Sequence, residues 1–322
     1  MTDDPAPPPG EAPFPGMAWI PGGVFTMGSD RHYPEERPAR SVRVDGFWID
    51  RTPVTNDQFA AFVAATGHVT VAEVAPRAED YPGAPKALLR AASMVFTPTR
   101  GPVPLNDASQ WWRWTFGADW RHPLGPRSSL KGLGDHPVIH VAWPDVEAYA
   151  AWAGKALPTE AEWEFAAWGG GATTTEFAWG EQLTPSGRQM ANIFQGDFPF
   201  RNTGEDGFDR TSPVGAFPAN GYGLSDMIGN VWEWTADWYG PHQAGPKSSA
   251  CCAVENPRGG QEAASLDPAL PDIPIPRKVL KGGSFLCAPS YCRRYRPAAR
   301  HAQSIDSSMS HLGFRCIVRP KT

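Results

Sequence analysis

Two cysteines five positions apart, Cys287 and Cys292, are the strongest chemical signal in the chain. They lie in the run Lys281-Gly282-Gly283-Ser284-Phe285-Leu286-Cys287-Ala288-Pro289-Ser290-Tyr291-Cys292. In a straight strand an odd offset places side chains on opposite faces. Pro289 breaks that geometry, so a turn can bring both sulfurs together. Residues 273 to 305 hold no Asp or Glu, whereas Arg277, Lys278, Lys281, Arg293, Arg294, Arg296 and Arg300 supply positive charge. Cations beside a sulfur favour thiolate over thiol. A pair of soft thiolates suits Cu(I) and is too few for a closed structural zinc site. Gly282 and Gly283 would let a substrate backbone approach closely. On residue types alone the pair reads as structural, as a redox dithiol or as a metal site.

Cys251, Cys252 and Cys316 fall with them in the last quarter of the chain. A disulfide scaffold would spread its cysteines through the fold, so the clustering points to chemistry, with buried free Cys as the bland alternative. Adjacent Cys251 and Cys252 rarely bridge each other without strain. They are expected to be exposed and dispensable for turnover. His136 and His140 are four apart, but Pro137 and Val138-Ile139 predict a strand, where two histidines need not converge on zinc. Glu160, Glu162 and Glu164 predict a helix face with capping duties, not a catalytic carboxylate pair. Glycine-rich phosphate loops, Gly-x-Ser-x-Gly and His-Glu-x-x-His are all missing.

Short elements must hold these groups. Ser41-Val42-Arg43-Val44 and Phe47-Trp48-Ile49 alternate as half-buried strands do. Thr55 with Gln58 forms a capping box for a helix burying Phe59, Phe62 and Val63, and Gly67 suits its C-terminal end. A second helix opens at Pro144 and buries Val146, Tyr149, Ala150 and Ala153. Thr159 with Glu162 caps a third, running toward Trp168. Beyond Gly169 short strands, turns and loops follow, with residues 255–277 a long surface loop.

The chain has 322 residues, a formal net charge of -5, 41% hydrophobic and 20% charged residues. That composition supports a packed core. Its mean hydropathy is -0.39, and with no run of about 18 apolar residues a membrane span is excluded. A weakly acidic balance argues against nucleic acid as the main partner. Fourteen Trp beside 33 Gly and 35 Pro predict a loop-rich fold held by aromatic anchors. The expectation is an α+β class, one loop-rich domain with little regular secondary structure over residues 17–322. Residues 1–16 read as a disordered Pro-rich tail. They carry no basic region followed by an apolar one, so a cytoplasmic location with reduced cysteines is expected.

The cysteine segment, with Tyr295-Arg296-Pro297-Ala298-Ala299-Arg300 and Leu312-Gly313-Phe314-Arg315-Cys316, closely resembles the formylglycine-generating enzymes, the sulfatase-modifying factors. The match extends through Leu157-Pro158-Thr159-Glu160-Ala161-Glu162-Trp163-Glu164 and Gly229-Asn230-Val231-Trp232-Glu233-Trp234. It begins near Ile20-Pro21-Gly22-Gly23 and covers almost the whole ordered chain. The tryptophan-rich motifs define a wider superfamily, which includes iron-dependent sulfoxide synthases and paralogues lacking the cysteine pair. Cys287 and Cys292 narrow the resemblance to the oxidase branch.

That resemblance implies the family fold, related to C-type-lectin-like folds. It also implies oxidation of the cysteine in an unfolded Cys-x-Pro-x-Arg segment of a sulfatase to Cα-formylglycine by molecular oxygen. A thiol reductant is the further partner. Cys287 and Cys292 would hold Cu(I), the substrate thiolate joining as a third sulfur. Ser284, Trp232 and Tyr291 would line the pocket, with Ser308 and His311 on its polar, substrate-binding rim; the family often has Asn at the position of His311. Two calcium sites are implied: Asn192, Ile193, Asp206 and Phe208 in one, Asp226, Gly229, Val231 and Glu233 in the other. Oxygen ligands from loops suit that cation. Cys316 matches a position that is disulfide-bonded in secreted relatives, but Ala151 stands where its partner would be. The competing readings are a non-haem iron oxygenase, which lacks its expected multi-histidine site here, and a non-catalytic peptide-binding paralogue.

Overall fold

Three helices start where side chains satisfy the free N–H groups of a first turn. Thr55 Oγ1 accepts from Gln58 N while Gln58 Oε1 accepts from Thr55 N, which opens α1 (Asn56–Thr66); Gly67, at φ 69°, closes it in the left-handed region. Helix α2 (Trp143–Trp152) begins one residue before Pro144, with Asp145 Oδ2 accepting from Ala142 N at 2.9 Å. Ala153 is its half-buried cap rather than part of its buried stripe. Helix α3 (Glu160–Trp168) has the expected Thr159–Glu162 box, yet it is buried on every side. Only Glu162 among its glutamates caps; Glu160 and Glu164 are centres of buried ion pairs.

The computed structural model describes residues 7–242 and 253–320. Cys251, Cys252 and residues 1–6 of the expected tail lie outside the described residues. Residues 7–16 form no strand or helix; Gly16 O accepts from Arg51 N, and Lys155 Nζ stands 5.2 Å from the Phe14 ring. The first strands are β1 (Met17–Ile20), β2 (Gly23–Met27), β3 (Arg40–Val44), β4 (Phe47–Asp50), β5 (Ala92–Phe96) and β6 (Trp112–Phe116). Then come β7 (Gly196–Asp197), β8 (Arg201–Asn202), β9 (Trp232–Trp238) and β10 (Val254–Glu255). The last are β11 (Arg277–Lys281), β12 (Arg300–Ser304), β13 (Leu312–Gly313) and β14 (Ile317–Val318).

These strands make small sheets, in the orders β1-β4-β14, β10-β3-β2 and β12-β11-β9-β13, with β5-β6 and β7-β8 as pairs. The four-stranded sheet positions the site. Lys281 faces Glu233 across β11 and β9 and Arg300 across β11 and β12, and Leu312 runs beside Trp232. Much of the remaining chain is turns and loops, which the Gly and Pro content requires. The fold is α+β, loop-rich and built from short elements.

Two large apolar clusters fill the interior. One packs α1 and α2 against β9 through Phe59, Phe62, Tyr149, Trp234 and Phe314; the other packs α3 onto the strands β1 to β4 through Trp163, Phe165, Phe25 and Ile49. The strand expected around His136 and His140 does not form. Pro137 makes only an isolated bridge to Thr55, and His140 has φ 61°. His140 is fully buried, with Nδ1 2.6 Å from Ser93 Oγ and Nε2 3.0 Å from Pro123 O, so its role is polar packing.

Candidate active site

The turn at Pro289 determines the cysteine geometry. Ala288 O accepts from Tyr291 N at 3.2 Å and from Cys292 N at 2.9 Å, which folds the chain back on itself. Cys287 Sγ and Cys292 Sγ then stand 3.2 Å apart with no disulfide between them. Gly282 and Gly283 serve a different purpose from the one expected. Both are buried at positive φ, and a Cβ on Gly283 would lie 2.9 Å from Arg294 O, one on Gly282 2.9 Å from Met227 O. The backbone they admit is the chain's own.

Only one of the seven cations in this region reaches a sulfur. Arg294 Nη1 lies 3.9 Å from Cys292 Sγ, while its Nε donates to Glu35 Oε1 at 3.0 Å and its guanidinium sits 3.9 Å over the Tyr33 ring. Arg296 is committed to Glu36, Arg300 to Glu160, Arg293 to Glu176, Lys281 to Glu164 and Arg277 to Asp267. Lys278 Nζ donates to Ala236 O and lies over Trp238. The hydrogen bond from Cys287 and then the charge of Arg294 pull Cys292 down to about 6, against the cost of burial. Cys287 goes the other way, raised by burial and by the neighbouring sulfur. The pair is therefore one thiolate held by one thiol.

Above the sulfurs opens a cavity of about 210 Å³. Trp232, Ser284, Tyr291 and His311 line it with Cys287 and Cys292. Ser308 lies outside its wall: Ser308 O accepts from Ser93 Oγ at 2.7 Å and from Met94 N at 3.2 Å, a backbone link to β5. Tyr291 stacks on Phe198, ring centroids 4.4 Å apart, with Trp111 edge-on at 5.4 Å. Ser284 Oγ accepts from Leu286 N and stands 3.1 Å from His311 Nδ1; the His311 ring meets Trp112 edge-on at 4.8 Å. Lost solvent holds His311 well below the ordinary histidine range, aided by His301 and His140.

Sequence reasoning missed Trp111, Trp112, Phe198, Arg294 as an individual, His301 and Gln303. The adjacent Trp111-Trp112 pair was the available signal, two large rings that both pack into the cluster of Phe96 and Phe198.

Both expected calcium sets lie near one another, joined where Asn230 N donates to Asn192 O at 2.9 Å. In the first, Asp206 accepts from Ile193 N and Phe208 N, and Asn192 donates to Arg210 O. Asn192 Oδ1 is buried without a hydrogen-bond partner among the described residues. Such an orphan is the kind of oxygen a hard cation takes. In the second, Asp226 sits at φ 57° with Oδ2 accepting from Gly215 N, and Glu233 accepts from Arg315 and Trp163 Nε1. Burial raises Asp226, and the hydrogen bond from Gly215 and the charge of Arg315 oppose it more than Glu233 adds to it. Among the described residues no three His, Cys, Asp or Glu side chains converge as a metal cluster.

The sulfatase-modifying factor enzyme 1-like domain family matches residues 3–320. A Mycobacterium tuberculosis protein named formylglycine-generating enzyme is 55% identical over 302 residues, covering 94% of this chain and 97% of its own. A Mus musculus protein named inactive C-alpha-formylglycine-generating enzyme 2 is 38% identical over 317 residues, covering 95% and 87%. The structure of PvdO from Pseudomonas aeruginosa superposes with a TM-score of 0.58 at 24% identity, covering 94% of each chain, a likeness of fold alone.

Proposed function

The chain belongs to the sulfatase-modifying factor enzyme family, and from that premise we propose that it is a formylglycine-generating enzyme, converting a sulfatase cysteine to Cα-formylglycine. The substrate is an unfolded Cys-x-Pro-x-Arg segment and the oxidant molecular oxygen. The observation that carries this reading is the pair of free sulfurs, 3.2 Å apart, at the floor of an aromatic cavity. Electron balance supports a further partner. The substrate β-carbon loses its sulfur as hydrogen sulfide and becomes an aldehyde, giving up two electrons, whereas reducing oxygen to water takes four. A thiol reductant supplies the other two.

Cys287 and Cys292 would hold Cu(I), which their soft donor atoms fit. When bound, the ion supplies a sulfur-preferring one-electron centre able to engage triplet oxygen. The protein's own groups do the rest. Arg294 keeps Cys292 in its anionic, metal-binding form. Tyr291, backed by Phe198 and Trp111, walls the cavity and limits water around the reacting thiol. Ser284, fixed by Leu286 N and His311 Nδ1, holds a hydroxyl proton at the cavity wall. Trp232 shapes the space for the substrate methylene.

Calcium at the two oxygen-rich sets is part of the same reading, supported by the orphaned Asn192 Oδ1. A cytoplasmic setting is proposed too; the free, buried Cys316 supports it. The test is a Cys-x-Pro-x-Arg peptide incubated with copper-loaded protein, oxygen and reductant. Its cysteine should become an aldehyde, read by mass change and hydrazine capture. No aldehyde would favour a non-catalytic peptide-binding protein. Aldehyde formation that persists without copper or in Cys287→Ser would overturn the mechanism.

A further inference from the structure

Strand β12 is the outermost strand of the four-stranded sheet, paired with β11 on one side only. In an antiparallel edge strand every second residue turns its N–H and C=O away from the neighbour. Natural sheets blunt such an edge with a bulge, a proline, a lysine or a covering loop. Arg300-His301-Ala302-Gln303-Ser304 has neither proline nor lysine, and its register with β11 runs unbroken from end to end. The helical turn Pro34–Glu36 meets the strand at its Arg300 end, where Arg300 Nη1 donates to Glu35 O at 3.3 Å. Among the described residues, the main chain of His301, Ala302 and Gln303 makes no hydrogen bond outside the ladder with β11.

A second cavity, of about 360 Å³, runs along this edge, and His301, Ala302, Gln303 and Ser304 all line it. Successive residues of a strand point to opposite faces, so a cavity on one face would meet only alternate ones. Contact with four in succession means that the cavity wraps the edge itself. His301 and Gln303 also line the cysteine cavity, so the two spaces meet over this strand.

The charges of the edge cavity are already matched, Glu35 with Arg294 and Asp267 with Arg277. Its walls therefore hold no spare charge to select a charged side chain. The unpaired main chain of β12 is what remains to bind.

We propose that the open edge of β12 receives the main chain flanking the substrate cysteine as an added strand. This rests on the reading of the chain as a formylglycine-generating enzyme: a polypeptide whose cysteine occupies the first cavity passes over β12 as it continues into the second. Strand addition draws affinity from main-chain hydrogen bonds and tolerates varied side chains. It also demands an unfolded segment, because a folded one already has its N–H and C=O groups paired.

A Cys-x-Pro-x-Arg peptide extended on both sides, N-methylated at one backbone nitrogen at a time, tests it. Along the flank that lies on β12, methylation at alternate positions should raise KM by about two- to tenfold, the worth of one hydrogen bond, with kcat little changed. Methylation at the positions between should leave both constants alone, since a paired strand presents its donors with a period of two. The same series with serine replacing the reacting cysteine, followed by fluorescence anisotropy, reads binding without turnover. A protein that binds in this pattern but forms no aldehyde keeps the strand and loses the function. A benzoylphenylalanine placed in the flank should cross-link to residues 301–304, as mapped by mass spectrometry. Equal KM across the methylated series, losses without alternation, or cross-links confined to other walls would overturn the proposal.

Discussion

Replacing Arg315 by methionine isolates one buried charge. Arg315 is fully buried and holds both oxygens of Glu233, with Nε and Nη2 to Oε1 at 3.0 and 2.8 Å and Nε to Oε2 at 2.8 Å. Its other nitrogen contacts are the carbonyls of Ser225, Asp50 and Arg51, at 2.8, 3.3 and 3.3 Å. Methionine preserves most of the apolar stem, so packing changes little and the loss is electrostatic. In calcium-free protein, the state in which the comparison is made, Glu233 is left buried, with Trp163 Nε1 as its remaining side-chain donor. Breaking one side of a buried pair costs about 3–5 kcal/mol. A domain whose whole stability is about 5–15 kcal/mol loses a large share of it.

The double variant Arg315→Met/Glu233→Gln removes the stranded charge as well. Its loss should fall short of the sum of the single losses by about 1–3 kcal/mol. Denaturant unfolding followed by tryptophan fluorescence, with all three variants in one buffer, measures each quantity. Should Arg315→Met stay within about 1 kcal/mol of the parent, the pair behaves like an exposed one and the reasoning fails.

In metal-free protein, alkylation of Cys292 should be nearly constant above about pH 6 and decline as pH falls through that value, because a lowered thiol pKa leaves the reactive thiolate present on the high-pH side. Cys287→Ala should move the midpoint upward, and Arg294→Met should do so less, in the order of their influence on Cys292. Trp232→Phe should slow aldehyde formation while copper remains bound, whereas Cys292→Ser should lose both, as read by copper titration beside the peptide assay. Chelator-treated protein should melt lower and recover with calcium, and Asn192→Ala should diminish that recovery; identical melting curves would remove calcium from the account. The double change Cys251→Ser/Cys252→Ser should leave turnover with preloaded copper nearly unchanged, and a loss like that of Cys287→Ser would show the active pair to be incomplete.

Sequence alone determined whatever depends on neighbours a few positions apart. The Thr55–Gln58 and Thr159–Glu162 caps were legible because each side chain answers an N–H three residues away. The meeting of Cys287 and Cys292 was legible in the same way, through a proline turn closed by one carbonyl. Even the family could be recognised from motifs of that reach. Tertiary structure decided which of seven basic residues serves a sulfur, because their carboxylates come from Glu35, Glu36, Glu160, Glu164, Glu176 and Asp267, most of them over a hundred positions away. Arg294 alone turns an edge to a sulfur, since Glu35 engages its Nε and Nη2 and leaves Nη1 toward Cys292. The cavity wall belongs to the same class: Trp111 and Phe198 meet Tyr291 only after β6 and the loop after β7 have packed. Local hydrogen bonds are encoded where they form, but the partner of a buried charge is chosen by whatever the fold brings within a few ångströms, and no spacing in the chain records that choice.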